Sequence, residues 1–358
     1  MLEESLVLAA TALNLVLVED AAVLFARSPI PRPVLTLKGN FNFNALSDGD
    51  CRFNFRFWKR DVIRLHKALR LEEDYKLPSR LRVGEVEGLC VLLRRLAYPG
   101  RYGDLAVMFG RSPSALCLIF RFMVDLIYTK CSKLLALECG ILSLSRCGAY
   151  AAAVVARGSP IDRCIGFIDG TVRGIARPVR NQRQCYNGHK RKHALKYQGV
   201  MAPDGLFIDF YGPVLGRRHD VYLLRVSEFL QRLVSVHGES YCLYGDPAYP
   251  NRPTLQVGFK GSRLSRDQEA FNGAMSAVRV SVEWGFGGIT RLWPYVDVKV
   301  SSKLLLSPVG KYYLVAALLT NFRNCTSPNQ ISRFFGVSPP SLETYVALAF
   351  PTAEFELP

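Results

Sequence analysis

The sequence has 358 residues, of which 49% are hydrophobic and 21% are charged, and its formal net charge is +16. This length and composition allow a sizeable core and exclude a chain that is disordered throughout. The excess of positive charge indicates an anionic partner, either nucleic acid or an acidic membrane surface.

The first segment, MLEESLVLAATALNLVLVEDAAVLFA, is apolar, but acids interrupt it and its longest uncharged run is 5–18. That run is too short to cross a bilayer, and no basic stretch precedes it. We therefore predict a helix that packs against the protein, and we expect no membrane partner. Residues 28–50 contain three prolines and then Asn, Gly and Asp, which indicates an irregular linker. Residues 1–50 are therefore predicted to be an N-terminal helix followed by a linker.

Helical periodicity dominates residues 51–150. Apolar residues recur at helical spacing over 58–69 and again over 86–96, where Pro-Gly ends the pattern. RYGDLAVMFG and then SPSALCLIFRFMVDLIY predict a short helix, a tight turn and a longer helix over 101–128. This is the outline of a DNA-binding helix-turn-helix, and it fits an ordinary helical hairpin equally well.

From residue 164 the pattern changes to strands. CIGFI predicts a buried strand, and KYQGVMA and LFIDFYGPV around the turn 202–205 predict a β-hairpin. A helix over 220–236, the strand SYCLYGD and helices over 267–291 and 309–324 follow. Residues 151–335 are thus predicted to form an α/β domain, and residues 336–358 a C-terminal tail.

Four acids stand out because of their positions. Asp169 ends the apolar strand in FIDG, and Asp246 ends another in LYGDPAYP. Asp220 opens a helix after GRRH, and Glu283 lies on the long helix in VRVSVEWG. An acid at the inner end of an apolar strand is costly to bury, and side chains at strand ends face the crevice where α/β proteins place their active sites.

Several carboxylates brought together suit divalent-metal chemistry. Mg²⁺ prefers oxygen ligands, and a pair of such ions can activate water and stabilise the leaving oxygen of a phosphodiester. Without a metal, clustered carboxylates would repel one another and one would stay protonated.

Each of these acids also has a structural alternative. Asp169 could accept a hydrogen bond from a following turn amide, and Asp220 and Asp246 could cap a helix or a turn. Glu283 could form only an i,i+4 ion pair with Arg279. From spacing alone, a shared metal site and four separate structural roles both stay open.

Five motifs occur in order over about 164–295: FIDGT, YNGHKRKHALKYQGVMAPDG, GPVLGRRHD, YGDPAYP and FNGAMSAVRVSVEWGFG. Together they resemble the nuclease domain of PIF/Harbinger-type DDE transposases, a family that includes the Harbinger transposase-derived nuclease. The stretch from CRFNFRFWKR to LAYPGRYGDLAVMFGRSPS is similar to the helical region that these proteins carry in front. The resemblance covers most of residues 50–335 and leaves out both ends.

The resemblance implies an RNase H-like fold, with a mixed central sheet flanked by helices, and metal-dependent cleavage of DNA, followed in an active transposase by strand transfer. Carried over by motif, Asp169, Asp246 and Glu283 correspond to the catalytic triad that holds two Mg²⁺ or Mn²⁺ ions, and Asp220 to a further acid near the metals. On this interpretation the metal charge offsets the desolvation of Asp169.

The resemblance also implies partners and a location. Family members depend on a separate Myb/SANT-like DNA-binding protein for end recognition and nuclear entry. We therefore expect such a partner, a nuclear location with a cytoplasmic pool, and DNA as substrate; a homo-oligomer is compatible with the sequence.

Nine basic residues form the predicted nucleic-acid contact. Most lie between the first strand and the hairpin, with Tyr186 among them, and two precede Asp220. This composition suits phosphate binding beside a cleavage site, although a solvated loop could have the same sequence. The nine are Arg173, Arg177, Arg180, Arg183, Lys190, Arg191, Lys192, Arg217 and Arg218.

Zinc is a minor alternative. Cys185, His189 and His193 are spaced by four and would share one face of a helix, but Gly188 and the strand-forming ALKYQGV argue against a helix there. The ten cysteines include no CxxC pair and many lie in apolar runs, which predicts buried reduced thiols in an intracellular protein.

Three functions fit the sequence. The first is a metal-dependent DNA endonuclease of the Harbinger transposase class. The second is a domesticated DNA-binding or recruitment protein that retains the nuclease scaffold without catalysis. The third is an RNA-directed nuclease on the same fold, which competition between duplex DNA and RNA would separate from the first.

Overall fold

From residue 51 onward the predicted helices and strands form in chain order, except that one predicted helix is split in two and several elements are added. The computed structural model describes residues 41–299, 302–304 and 306–350. The predicted N-terminal packing helix, most of the linker and the end of the predicted tail lie outside the described residues. The described residues all belong to one compact unit, Gly39–Pro358.

Among the described residues, the stretch 41–159 is helical, as predicted for 51–150, apart from one antiparallel hairpin of two four-residue strands. The strands were too short for their alternation to stand out in the sequence. The helices are α1 (Asp48–Phe55), α2 (Lys59–Ala68), α3 (Glu85–Ala97), α4 (Tyr102–Phe109), α5 (Pro113–Cys131) and α6 (Leu144–Val155), and the hairpin is β1 (Asp74–Leu77) with β2 (Leu81–Gly84).

Helices α4 and α5 form the predicted pair around a tight turn. Gly110 ends α4 in the left-handed conformation, and the Ser112 hydroxyl accepts a hydrogen bond from the amide of Ala115 at the start of α5. Seven of the nineteen residues of α5 are buried, and its exposed residues include Arg121 and Asp125, whose charges cancel. The use of this pair in DNA binding therefore stays a prediction.

No single helix among the described residues is long and apolar enough to span a membrane. Tyr102–Phe109 and Pro113–Leu135 meet the criterion of length and composition only as a pair, and that pair is bent by 93°.

A mixed sheet follows, and its strands have the predicted order along the chain. Strand β3 is central: β5 and β7 flank it, β6 pairs with β5, and β8 pairs with β7. The contacts of β3 with β5 and of β5 with β6 are antiparallel, whereas those of β3 with β7 and of β7 with β8 are parallel. The strands are β3 (Cys164–Gly174), β4 (Tyr186–Asn187), β5 (Lys192–Met201), β6 (Phe207–Leu215), β7 (Cys242–Gly245) and β8 (Leu255–Val257).

The predicted helix over 220–236 is wrong as a single element. Two helices form instead, because Glu228 takes a left-handed conformation between them, which the apolar spacing of the sequence does not reveal. The helices after β3 are α7 (Gln182–Cys185), α8 (Asp220–Val226), α9 (Phe229–His237), α10 (Arg266–Leu292), α11 (Val309–Thr326), α12 (Gln330–Phe335) and α13 (Leu342–Ala347).

Helices cover both faces of the sheet. The Tyr197 ring on β5 lies 4.6 Å from that of Tyr313 on α11, whereas the neighbouring Lys196 pairs with Asp220 at the start of α8. Since successive strand residues point to opposite faces, α11 and α8 lie on opposite sides of the sheet. This confirms the predicted mixed sheet flanked by helices.

A buried asparagine ties the hairpin to α11. The side chain of Asn321 accepts a hydrogen bond from the amide of Phe207 and donates one to its carbonyl, each at 2.9 Å. This contact fixes the start of β6 and, through β5, the strand that carries Asp169. All ten cysteines are free, and each is buried or half-buried, as predicted.

Candidate active site

Two of the predicted acids lie together because of strand lengths. Ile168 on β3 pairs with Gly245, the last residue of β7. From Asp169 onward, β3 therefore has no pairing partner on the side that faces β7. Asp246 follows directly after the end of β7. Asp246 follows its strand as predicted, but the prediction that Asp169 ends its strand is wrong, because β5 continues to pair with β3 as far as Gly174. Both carboxylates nevertheless line one cleft.

A cleft of about 570 Å³ opens at this edge and collects charges of both signs. Three of the four predicted acids line it, together with three of the nine predicted basic residues. These are Asp169, Asp220 and Asp246, with Lys190, Arg217 and Arg218.

Asp169 is largely buried, with 23% of its side chain exposed. Its Oδ1 accepts a hydrogen bond from the amide of Gly170 at 2.7 Å, and its Oδ2 lies 3.3 Å from Arg279 on α10. Burial raises the pKa of Asp169 to about 6, and the negative charges of Asp246 and Asp220 add to this, against the lowering effect of Arg279 and the amide. Burial is therefore the main reason why the pKa of Asp169 lies above that of a free aspartate.

Glu283 reaches the site only through Arg279. One guanidinium nitrogen of Arg279 donates to Asp169, and the other donates to Glu283 Oε1 at 3.0 Å, four residues along the helix. Glu283 is 54% exposed and does not line the cleft. The structural alternative for Glu283, an i,i+4 pair, is therefore present, and the same arginine places its carboxylate beside the site.

Asp220 approaches the sheet over a glycine. A Cβ on Gly170 would lie 2.7 Å from Asp220 Cγ, so a side chain at position 170 would displace this carboxylate. Asp220 Oδ1 forms an ion pair with Lys196 Nζ of β5 at 2.6 Å. Asp220 opens α8 as predicted, and no side-chain hydrogen bond caps that helix.

Asp246 is held by the turn that follows it, since its Oδ1 accepts a hydrogen bond from the amide of Ala248 at 2.7 Å. The same turn buries Tyr249, whose hydroxyl has no hydrogen-bond partner among the described residues. Burial, and then the charges of Asp220, Asp169 and Asp246, raise the pKa of this tyrosine. An unpaired hydroxyl beside carboxylates leaves room for a bound water or ion.

The donor chemistry of these residues fits a hard divalent cation, because carboxylate oxygens are the ligands that Mg²⁺ and Mn²⁺ prefer. As the side chains stand, no group of three or more His, Cys, Asp or Glu in the described part of the chain is close enough to hold a metal ion. The Arg279 guanidinium contacts both Asp169 and Glu283. A metal held by both carboxylates would have to displace it.

The other predicted basic residues lie outside this cleft. Arg173 lies 3.5 Å from Asp297 and over the ring of Tyr313, on the α11 side of the sheet. Arg177 donates to the side chain of Gln182. Arg180, Arg183 and Arg191 are exposed, and Lys192 is half-buried, where desolvation and then the charge of Lys299 lower its pKa.

The zinc alternative has no support in the described residues. Cys185 is buried at the end of α7, whereas His193 lies on β5 with its ring against Tyr186. The segment between them is a turn and a strand, as the sequence predicted, so the three side chains do not share a helical face.

Sequence reasoning missed three residues of the site. Tyr249 lies in the quoted motif GDPAYP but was given no role, and Arg279 was considered only as a partner of Glu283. Lys196 was not considered, although a lysine inside the apolar strand ALKYQGV is itself a signal, because lysine is seldom buried without a partner.

Comparison with known proteins supports the same interpretation. Residues 168–321 match the family described as DDE superfamily endonuclease, and this range includes all four acids. No curated protein and no solved structure matches the chain. The match supports a DDE transposase-like family and a nuclease- or transposase-like function. With the mixed sheet flanked by helices, it confirms the predicted RNase H-like fold class.

Proposed function

We propose that this protein is a divalent-metal-dependent DNA endonuclease of the Harbinger transposase class. The observation that carries the proposal is the cleft in which three carboxylates, Asp169, Asp220 and Asp246, lie beside exposed arginines at 217 and 218. An anionic substrate and a cationic cofactor would both be attracted to such a site. The family match and the order of the five motifs support the same conclusion.

Asp169, Asp246 and Glu283 would hold Mg²⁺ or Mn²⁺, with Asp220 beside them. Bound in pairs, such ions supply an activated water and stabilise the negative charge of the leaving oxygen. Asp169 is suited to the central position because a rigid strand holds its backbone and a short hydrogen bond to the next amide fixes its rotamer.

The basic side chains of the cleft would position the substrate. Lys190, Arg217 and Arg218 are exposed and have no ion pair within the described residues, so their charges are available to phosphate oxygens. The strand-transfer step, the nuclear location and the Myb/SANT-like partner stay predictions from the resemblance.

The test is cleavage of plasmid DNA by the full-length protein with Mg²⁺, with Mn²⁺ and with EDTA. Asp246→Asn keeps the size and the acceptor for the Ala248 amide but removes the charge, so it should fold normally and lose cleavage. Asp125→Asn is the matched control, since Asp125 is an exposed acid on α5 paired with Lys311. Full metal-dependent cleavage by Asp246→Asn would refute the assignment.

A second candidate is DNA binding without cleavage. The position of Arg279 favours it, because this cation already neutralises part of the charge that a metal would neutralise. On this hypothesis the wild-type protein binds DNA, takes up no Mn²⁺ at micromolar concentration and cleaves with neither metal. Binding of Mn²⁺ with cleavage would reject it.

A further inference from the structure

A lysine lies in the cleft with almost no exposed surface. Lys196 is opposite Val172 of β3 and Val214 of β6, in the middle of the sheet. Only 8% of its side chain is exposed, yet it lines the same cleft as Asp169 and Asp246. A lysine in such a place needs compensation, because transferring an ammonium group out of water is costly.

Its compensation in the described structure is incomplete. An ammonium group has three donors. Among the described residues Lys196 Nζ has one polar partner, Asp220 Oδ1, at 2.6 Å. Two donors are therefore without a protein partner among the described residues, and the side chain lines the cleft.

The surroundings favour an anion as the acceptor for these two donors. Lys190, Arg217 and Arg218 line the same cleft, so with Lys196 it holds four cations beside the three carboxylates of Asp169, Asp220 and Asp246. Gly170 lets the Asp220 carboxylate lie directly on the sheet, since a Cβ at position 170 would be 2.7 Å from Asp220 Cγ. A phosphate oxygen entering beside Asp220 would meet an ammonium group already oriented by an ion pair.

We propose that Lys196 donates to a phosphate of the bound DNA and that Asp220 is its positioning residue. This inference rests on the DNA substrate of the proposed function and adds to it a contact on the sheet itself, outside the predicted basic loop. The alternative is a purely structural role, in which Lys196 only neutralises Asp220.

The experiment measures binding of a random-sequence DNA duplex to the full-length protein in EDTA, as a function of salt, so that cleavage plays no part. Losing one phosphate contact should lower the slope of log affinity against log salt by about 0.9. Lys196→Gln should show this loss, and Lys196→Arg should recover at least part of the affinity. Lys311→Gln is the matched control, because Lys311 forms an equally short pair with Asp125 at 2.6 Å, far along the chain from the cleft residues.

The double variant Lys196→Gln with Asp220→Asn separates the two explanations. If Lys196 contacts a phosphate, the double variant keeps the reduced slope. If Lys196 only neutralises Asp220, removing both charges restores the wild-type slope and affinity, and the proposal is overturned. Thermal unfolding of each variant reports whether it is folded.

The outcome is distinguishable from failure of the nuclease proposal. A reduced slope in a protein that never cleaves DNA supports the Lys196 contact and rejects the nuclease. Cleavage with an unchanged slope in Lys196→Gln rejects the contact and leaves the nuclease. A wild-type protein that binds no DNA at any salt overturns both.

Discussion

Arg279 offers the sharpest test of the candidate site, because its guanidinium contacts both Asp169 and Glu283, two of the carboxylates that would hold a metal ion. Replacing it by Met keeps the apolar stem that packs along α10 and removes the guanidinium. Two effects of opposite sign should follow. The metal-free protein should lose stability, and the affinity for Mn²⁺ should rise.

The expected magnitude comes from the two ion pairs. The pair with Glu283 is largely exposed and contributes little, about 0.3–0.5 kcal/mol. The pair with the mostly buried Asp169 is the stronger one, so we expect a total of about 1–2 kcal/mol for the two contacts. A metal ion that displaces Arg279 breaks these two ion pairs and so binds less tightly by this energy. Replacing Arg279 should therefore tighten Mn²⁺ binding by roughly 10-fold.

The assay is Mn²⁺ titration followed by electron paramagnetic resonance, with thermal unfolding in EDTA measured on the same samples. Arg291→Met is the control, since Arg291 is an exposed arginine on the same helix without an ion pair in the described part of the chain. It should change neither quantity.

Three results would refute this reasoning. If Arg279→Met binds Mn²⁺ no more tightly than the wild type, Arg279 does not compete with a metal. If it binds Mn²⁺ more weakly, Arg279 holds the carboxylates in their binding positions and a bound metal leaves it in place. An unchanged unfolding temperature in EDTA would contradict the ion pairs themselves.

Two further predictions concern a glycine in the cleft and a buried acid outside it. Gly170→Ala should lower the free energy of unfolding by about 1–2 kcal/mol, because the new methyl group displaces the Asp220 carboxylate. The control Gly273→Ala, on α10 with open space around it, should raise the free energy of unfolding. If both substitutions changed this free energy in the same direction, the proposed clash with Asp220 would be contradicted. Burial raises the pKa of Asp204 from its ordinary value of 3.8 to about 6. The neutral acid therefore adds stability that is fully present below pH 3.8 and is lost as the pH rises through 6. Between pH 3.5 and 7 the free energy of unfolding of the wild type should fall by about 3 kcal/mol more than that of Asp204→Asn, as measured by chemical denaturation. An equal change in the two proteins would reject this prediction.

Local sequence predicted much of the framework of the site. The apolar run before Asp169 and the turn 202–205 both depend on neighbouring residues, and both form, although the strand continues past Asp169 to Gly174. The position of Asp246 after β7 follows from the same kind of signal. The Gly170 amide and the Arg279 pair of Glu283, proposed as structural alternatives, are also present, because both contacts are close in sequence.

Local patterns failed where distant contacts decide the conformation. The break at Glu228 interrupts an apolar period that would suit one continuous helix. Helix α13 lies in the segment predicted as a tail, and it is short enough to need its neighbours: Glu343 pairs with Arg64 of α2 at 2.8 Å, across most of the chain. Short elements depend on tertiary packing, since their own hydrogen bonds cannot offset the loss of chain entropy.

The sequence by itself determined the fold class and named four acids, because strand ends, turns and linked motifs are written in adjacent residues. Only the tertiary structure decided how the charges are paired. Arg279 of α10 pairs with Asp169, and Lys196 of β5 pairs with Asp220 at the start of α8. Such pairs form between elements far apart in the chain, and which cation reaches which carboxylate depends on register and helix placement, quantities that residue spacing does not contain.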